Sequence, residues 1–307
     1  MTILVGYPIN RRAKAVLSMA GVLARSSGEE LVVCTIIPAP WMPGLSRADH
    51  GYRSYIDDSA NAALAEARAD LPPDVPAKFT TVDARSAPSG LVDAAQKHEA
   101  SIIAVGSSDA GQFGYITLSS VADRLLHSSP IPVAVAPRGF RAQGGKFARV
   151  TVAYTGSEQS DVLLGAAAVL ARGFGAPMRL ASFAVQPAPP VTARFRTESA
   201  DLVAEWTANI QAAARQVLDG DSASKQPGDD SPNVVIGQGN DWEAALNDVD
   251  WQDGDLLVIG SSESAPVARV FLGSRAAKIV RHAPVPVLVV PRGTAQQLSQ
   301  GDNEARS

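Results

Sequence analysis

The sequence predicts two α/β domains in tandem, each an open parallel five-stranded sheet flanked by helices. Three observations carry this prediction: the second half of the 307-residue chain repeats the first, short apolar runs alternate with longer segments of helical periodicity, and the apolar runs are continuous. Continuous apolar strands are typical of parallel sheets that helices cover on both faces. Alternation of strand and helix favours right-handed crossovers, which produce an open parallel sheet.

The internal repeat has an offset of about half the chain. Three segments of the first half recur in the second half in the same order, which chance explains poorly. The matching segments are 3–7 with 150–154, 103–108 with 257–262, and 129–139 with 283–293. A period of this length corresponds to one domain of ordinary size.

Ten short apolar runs are the predicted strands. Between them, apolar residues recur at helical spacing, as Val16, Leu17, Ala20 and Leu23 do in the first intervening segment. The predicted strands are 2–7, 30–37, 77–83, 101–106 and 132–136 in the first half, and 149–154, 178–184, 233–237, 255–260 and 286–290 in the second.

Composition places the domain boundaries between these halves. A Gly-rich polar segment at 140–148 is typical of a linker. The prediction is therefore a first domain over 1–139 and a second over 149–293. The polar segment 294–307 is expected to be a disordered tail.

Charge and composition exclude several classes of function. The net charge is −4 and no run of Lys and Arg is longer than Arg11-Arg12, so we expect no nucleic-acid partner. No apolar stretch approaches the roughly 20 residues that cross a bilayer, so we expect no membrane partner.

The single cysteine, Cys34, cannot form an internal disulfide. The N-terminus has no signal-like arrangement, and we expect a cytoplasmic protein.

Catalytic and metal-binding patterns are weak. The four histidines lie far apart in the sequence without the spacing of a metal site, so we expect no metal. No nucleophile elbow and no phosphate-binding loop of the Gly-x4-Gly-Lys-Ser/Thr type is present. We therefore expect a protein that is not an enzyme.

The segment 258–290 carries a family resemblance. Its strand ends in a glycine, a loop leads to Gly273-Ser274, and Arg281-His282-Ala283-Pro284 precedes the last strand. This pattern resembles the universal stress protein (UspA-like) family, and the resemblance extends to both halves, as in the tandem type. It implies a Rossmann-like fold of the adenine nucleotide alpha hydrolase-like kind, with strand order 3-2-1-4-5 in each domain.

The resemblance also implies a candidate nucleotide site in the second domain. Nucleotide-binding members carry Gly-x2-Gly-x9-Gly-Ser/Thr after the fourth strand, where glycines and a helix N-terminus hold phosphates. The second half keeps the first and last elements, but Glu263 replaces the middle glycine, and a carboxylate repels a phosphate. The implied site residues are Thr155, Ala184, Ile259, Gly260, Glu263, Gly273 and Ser274.

The first domain carries a more degenerate version of this site. Both later glycines of the pattern are missing there, and an acid again stands in the middle position. The corresponding residues are Pro8, Ile36, Gly106, Asp109, Ser119 and Ser120.

The loop after the first strand of each half also departs from the pattern. ATP-binding members keep an Asp there, whereas this chain has 155–157 (Thr-Gly-Ser) and 8–10 (Pro-Ile-Asn). The alternative interpretation is that these loops only connect strand to helix, with Ser157 or Asn10 as helix caps. Arg11-Arg12 then falls in the first turn of the first helix, either as an anion site or as a solvated surface pair.

The resemblance implies a non-catalytic stress-response binding or regulatory protein. Nucleotide binding is expected to be weak or absent, and to lie in the second domain if it occurs. ATP is then the one candidate cofactor. The alternative that stays open is an ATP-binding member with slow nucleotide hydrolysis, for which Glu263 is the candidate acid or base.

The resemblance further implies a contact between final strands. In relatives this strand pairs across a two-fold axis, and the similar strands 133–135 and 287–289 predict the same pairing inside one chain, as a pseudo-dimer. That pairing would cover an exposed sheet edge. A homodimer of whole chains and an unidentified protein partner stay open.

Overall fold

Parallel sheets flanked by helices form both halves of the chain in the computed structural model. The structure describes residues 1–39, 47–142, 145–185, 194–220, 233–261 and 272–304. The chain divides into two units, domain 1 (Met1–Lys146) and domain 2 (Phe147–Ser307).

Domain 1 alternates strands and helices. Its strands lie in the order β3-β2-β1-β4-β5 and each neighbouring pair is parallel. In chain order its elements are β1 Thr2–Gly6, α1 Lys14–Ser27, β2 Glu30–Pro38, α2 Arg47–Asp70, β3 Ala77–Ala84, α3 Ala87–Lys97, β4 Ala100–Gly106, α4 Ser120–Ser128 and β5 Val133–Ala136. The predicted order 3-2-1-4-5 is confirmed for this domain.

Domain 2 repeats the arrangement. Its strands lie in the order β8-β7-β6-β9-β10, again in parallel pairs and again 3-2-1-4-5. In chain order its elements are β6 Arg149–Ala153, α5 Glu158–Phe174, β7 Met178–Val185, α6 Arg194–Gly220, β8 Val234–Gly239, α7 Trp242–Asn247, β9 Asp255–Gly260, α8 Ser274–His282, β10 Val287–Val290 and α9 Arg292–Glu304.

The central strands carry the core of each domain. Ile3, Leu4 and Val5 of β1 are fully buried, and Leu256 and Leu257 of β9 are as well. Consecutive buried residues point to opposite faces of a strand, so helices must cover both faces, as the continuous apolar runs predicted. All predicted strands form, with boundaries within two residues of the prediction.

The C-terminal segment differs from the prediction. Instead of a disordered tail over 294–307, the described residues form α9, and Ala295 is buried. This helix packs on α5, where Gly165 faces Ser299 closely enough that a Cβ atom would contact the serine side chain. The prediction was wrong because contacts between small residues distant in sequence leave little apolar periodicity.

A buried charge cluster lies at the amino ends of the domain 2 strands. Asp255 is 1% exposed, and its carboxylate accepts hydrogen bonds from Arg149 Nε and Nη2 at 2.8 and 2.7 Å. Arg179, 3% exposed, lies 3.5 Å from the same carboxylate and covers the ring of Trp251 at 5.4 Å. These charges are buried together, so each partner offsets the desolvation of the other.

The described residues also bear on membrane insertion and metal binding. None of the helices they form combines the length and the apolar character that a membrane span requires. No cluster of three or more His, Cys, Asp or Glu side chains in this part of the chain is arranged around a metal position. The predicted pairing of the two final strands, and a homodimer of whole chains, stay predictions.

Candidate functional site

A pocket of about 620 Å³ opens at the carboxyl ends of β1, β2 and β4 in domain 1. Open α/β sheets bind ligands at this edge, outside the carboxyl ends of the strands. Small-molecule sites enclose roughly 300–1,000 Å³. The position and size of this cavity therefore suit one small organic ligand.

The inner wall of the pocket is apolar. It is formed by Val16 of α1, Cys34 and Ile36 of β2, Leu91 of α3 and Val105 of β4. Burial raises the pKa of the Cys34 thiol to about 12, so this group stays protonated and uncharged at neutral pH. The interior thus favours an uncharged, apolar part of a ligand.

An ion pair lies at the rim. Arg11 Nη1 is 2.5 Å from Asp109 Oδ1, and the side chains are 32% and 66% exposed. The same guanidinium donates to the carbonyl oxygen of Ser107, from Nη2 at 3.3 Å and from Nη1 at 3.4 Å. Arg11 therefore joins the loop after β1 to the loop after β4.

The other cations that line the pocket also contact protein acceptors. Lys14 Nζ is 3.2 Å from Asp70 Oδ1. Arg12 Nε lies 3.5 Å from Asp70 Oδ2 and 3.4 Å from Glu66 Oε2. Arg138 Nη1 donates to the carbonyl oxygen of Gly111. Each of these cations therefore already contacts an acceptor of the protein.

The loop between β4 and α4 is tied down along its length. Ser107 Oγ donates to the carbonyl oxygen of Thr117 at 3.0 Å and accepts from its N–H at 2.7 Å. Farther along, the Gly114 N–H donates to the Arg138 carbonyl oxygen, and the Arg138 N–H donates to that of Tyr115, each at 2.9 Å. These hydrogen bonds therefore hold this wall of the pocket in place.

Phe113 lies at the mouth of the pocket and is 70% exposed. Its ring lies over Gly139, where a Cβ atom would overlap it. Gly139 also has φ of +76°, a conformation that side chains other than glycine rarely adopt. The exposed aromatic face thus depends on glycine at this position.

The loop after β1 corrects two predictions. Helix α1 begins at Lys14, and its N-cap is Ala13 without a side-chain hydrogen bond, so the prediction of Asn10 as cap was wrong. Arg11 and Arg12 accordingly precede the helix and do not lie in its first turn. The N–H of Ala13 donates to the buried hydroxyl of Tyr7 at 3.3 Å, which satisfies one donor of the uncapped end.

Five of the six nucleotide-site residues that the resemblance implies for domain 1 line this pocket. Ser120 begins α4 and is not part of the wall, while Ser119 caps that helix by accepting from the Ala122 N–H at 3.2 Å. The predicted residues that line the pocket are Pro8, Ile36, Gly106, Asp109 and Ser119.

The predicted domain 2 residues lie at the corresponding edge of their own sheet. Ile259 and Gly260 end β9, and Ala184 lies near the end of β7. Gly273 is the N-cap of α8 without a side-chain hydrogen bond, and Ser274 is the first residue of that helix. Glu263 lies outside the described residues.

The loop after β6 gives this edge of domain 2 an acidic character. Thr155 Oγ1 lies 3.0 Å from Ser157 Oγ, and Ser157 caps α5 in a reciprocal box with Ser160, which confirms the predicted cap. Glu158 and Asp161 follow in the first turn, where acids stabilise the helix dipole. Their negative charge disfavours a phosphate at this helix end.

Sequence patterns did not identify the pocket residues Leu91, Phe113 and Arg138. Leu91 lies on the buried face of α3, which the helical period alone assigns to the core. Arg138 belongs to the repeated Pro-Arg-Gly segment, a signal of duplication and not of binding. No sequence pattern marks Phe113, because its position at the pocket depends on contact with Gly139, 26 residues away.

The repeated domain matches a known protein family. The model of the universal stress protein family matches residues 1–137 and again 146–291. The chain belongs to the universal stress protein family. It contains the family domain twice, as the tandem resemblance predicted.

Relatives match either most of the chain or about half of it. A universal stress protein of Mycobacterium tuberculosis is 35% identical over 297 residues, which covers 95% of this chain and 100% of that protein. Another, from Thermus aquaticus, is 30% identical over 145 residues, which covers 47% of this chain and 98% of that protein. The first relative is thus similar along the whole tandem chain, and the second to one domain's length.

Solved structures share the fold. A universal stress protein from Archaeoglobus fulgidus superposes with a TM-score of 0.60 at 22% identity, covering 94% of this chain and 98% of that one. A protein from Pseudomonas aeruginosa described as a putative universal stress protein gives 0.56 at 16% identity, covering 98% and 97%. These similarities confirm the predicted α/β fold.

Proposed function

We propose that this universal stress protein is a non-catalytic stress-response binding and regulatory protein, and that its ligand site is the domain 1 pocket. The observation that carries the proposal is the cavity of about 620 Å³ at the carboxyl ends of β1, β2 and β4. Its walls are tied together by the Ser107–Thr117 and Arg138–Tyr115 hydrogen bonds. Walls that internal hydrogen bonds hold in place lower the ordering cost of binding.

The side chains in the pocket support binding without turnover. Cys34, with its pKa raised to about 12 by burial, is a poor nucleophile because the thiolate is the reactive form. Ser107 Oγ is held by both polar groups of the Thr117 backbone, and Ser119 Oγ caps α4. Burial raises the pKa of Tyr7, which keeps this phenol protonated.

The family resemblance supports an adenine-containing ligand. The apolar interior formed by Ile36, Leu91 and Val105 suits a flat base. The rim cations already contact protein acceptors, with which a polyphosphate would have to compete, so we propose that ATP binds weakly. In domain 2 the acids Glu158 and Asp161 also disfavour phosphate.

Isothermal titration of matched valine variants tests the site. Gly106 and Gly260 each end the fourth strand of their domain, and neither has positive φ. A Cβ atom at Gly106 would lie 3.7 Å from the Val16 Cβ inside the pocket, and one at Gly260 would lie 3.5 Å from Leu163. An added Cβ atom makes ordinary contacts at both positions, and Gly106 lines the domain 1 pocket, so Gly106→Val narrows that pocket whereas Gly260→Val does not.

We expect adenosine, AMP or both to bind the wild-type chain at one site. Gly106→Val should weaken binding about tenfold or more, equivalent to about 1.4 kcal/mol, while Gly260→Val stays within about threefold. Thermal melts of each variant verify folding. Loss of binding in Gly260→Val alone would contradict the domain 1 site. Sustained phosphate release from ATP would contradict the non-catalytic role and favour slow hydrolysis.

A further inference from the structure

The Arg11–Asp109 pair places a protein carboxylate where a ligand phosphate would meet a guanidinium. Arg11 Nη1 lies 2.5 Å from Asp109 Oδ1, a close charge-assisted contact of the kind that Arg also makes with phosphate oxygens. The guanidinium also donates twice to the Ser107 carbonyl oxygen. A phosphate that approaches Arg11 must therefore compete with groups of the protein that already occupy its donors.

Backbone hydrogen bonds support the turn that carries the carboxylate. The N–H of Gly111 donates to the Ser108 carbonyl oxygen at 3.4 Å, and the Ser108 N–H donates to Thr117 at 2.7 Å. These bonds hold the turn that carries Asp109 on both sides. Asp109 is 66% exposed and lines the pocket, so its negative charge faces an incoming ligand.

The remaining rim cations also contact acceptors of the protein. Arg12 and Lys14 share the carboxylates of Glu66 and Asp70, and Arg138 donates to a carbonyl oxygen. A phosphate dianion at the rim would therefore be repelled by Asp109 and would find each cation already in contact with an acceptor. An uncharged ligand meets no such penalty.

The uncharged part of a ligand would contact apolar and aromatic side chains of the pocket. Leu91 and Ile36 provide an apolar interior, and Phe113 presents an exposed aromatic ring at the mouth, where a flat base or sugar edge can pack. The pocket thus combines favourable contacts for a nucleoside with a charge that opposes the phosphate of a nucleotide.

We infer that the Arg11–Asp109 pair makes the domain 1 pocket selective for an uncharged nucleoside over its phosphorylated form. The carboxylate of Asp109 substitutes for the phosphate and excludes it. This inference rests on the proposed function, because it assigns the ligand class of the same pocket.

Titration of adenosine and AMP against Asp109→Asn tests the selectivity. The asparagine keeps the size of the side chain and removes the charge that repels phosphate and holds Arg11. Asp74→Asn is the matched control, because Asp74 forms a similar pair with Arg25 on the same domain, at 2.6 and 2.8 Å, outside the pocket. The double variant Arg11→Gln/Asp109→Asn asks whether Arg11 then binds the phosphate.

Wild-type protein should bind adenosine about tenfold more tightly than AMP. Asp109→Asn should raise AMP affinity about tenfold and leave adenosine within about threefold, and the double variant should lose the gain. Asp74→Asn should leave both affinities unchanged. AMP binding as tightly as adenosine in the wild type, or an unchanged ratio in Asp109→Asn, would overturn the inference. If neither ligand binds the wild-type chain, the proposed function itself fails.

Discussion

The segment after the first strand differs between the two domains, although it begins with a buried tyrosine in both. Tyr7 and Tyr154 are 3% and 1% exposed. The Tyr7 hydroxyl accepts from the backbone N–H of Ala13 at 3.3 Å, whereas the Tyr154 hydroxyl donates to Asp161 Oδ1 at 2.5 Å. The same side chain therefore supports an open loop in domain 1 and a helical turn in domain 2.

The following helix begins at different points. Aligned on the tyrosines, Asn10 corresponds to Ser157 and Lys14 to Asp161. Helix α5 begins directly after its Ser157 cap, while α1 begins only at Lys14. Domain 1 thus presents to its pocket an uncapped loop whose cations contact protein carboxylates, and domain 2 presents a capped helix end that carries acids.

The opposite edges of the sheets differ as well. At the position of the buried Asp255 in the repeat, domain 1 has Ser101, whose hydroxyl donates to Glu29 at 2.6 Å. Domain 2 therefore depends on a buried ion pair where domain 1 uses a hydroxyl. We infer that polar interactions stabilise this edge of the sheet more strongly in domain 2 than in domain 1.

The largest expected effect comes from this ion pair. Asp255→Ala should cost about 3–5 kcal/mol, because it leaves Arg179 and part of Arg149 buried without their carboxylate. Ser101→Ala, the matched change in domain 1, should cost about 1 kcal/mol. Urea unfolding followed by circular dichroism measures both. Equal losses in the two variants would remove this contrast between the domains.

The paired tyrosines should separate the domains by a smaller amount. Tyr154→Phe removes a hydrogen bond to the Asp161 carboxylate and should cost about 1.5–3 kcal/mol. Tyr7→Phe removes a longer bond to a neutral N–H and should cost about 0.5 kcal/mol. The same unfolding assay checks both values, and a greater loss in Tyr7→Phe would reverse the comparison.

The helix caps should give the smallest difference in stability between the two domains. Ser157→Ala should cost about 1 kcal/mol, because it removes the cap of α5, while Asn10→Ala should be near neutral. Differences in thermal midpoint between each variant and the wild type report these costs. A substantial loss in Asn10→Ala would indicate that Asn10 stabilises domain 1 in a way that its position before the helix does not explain.

The sequence allowed the fold to be predicted closely because burial of strands leaves a direct signal. Runs such as Ile3-Leu4-Val5 are apolar without interruption, since helices cover both faces of the sheet. Helix ends were less predictable. Ser157 and Asn10 are both good caps, but the backbone of domain 1 leaves the helix to begin after Ala13.

The pocket was less accessible to sequence reasoning. Its decisive contact joins Arg11 and Asp109, which are 98 residues apart, and neither residue alone signals a pair. The family pattern did single out Asp109 and Gly106, because both occupy motif positions. It favoured domain 2 as the candidate, since that copy keeps more of the glycines, whereas the described cavity in domain 1 depends on three-dimensional packing.

A crystal structure of the full chain grown with adenosine would test whether domain 1 is the ligand-binding copy. We predict the base against Ile36 and Leu91 in the domain 1 pocket, with the Arg11–Asp109 contact intact. Adenosine bound in domain 2 with an empty domain 1 pocket would contradict the account.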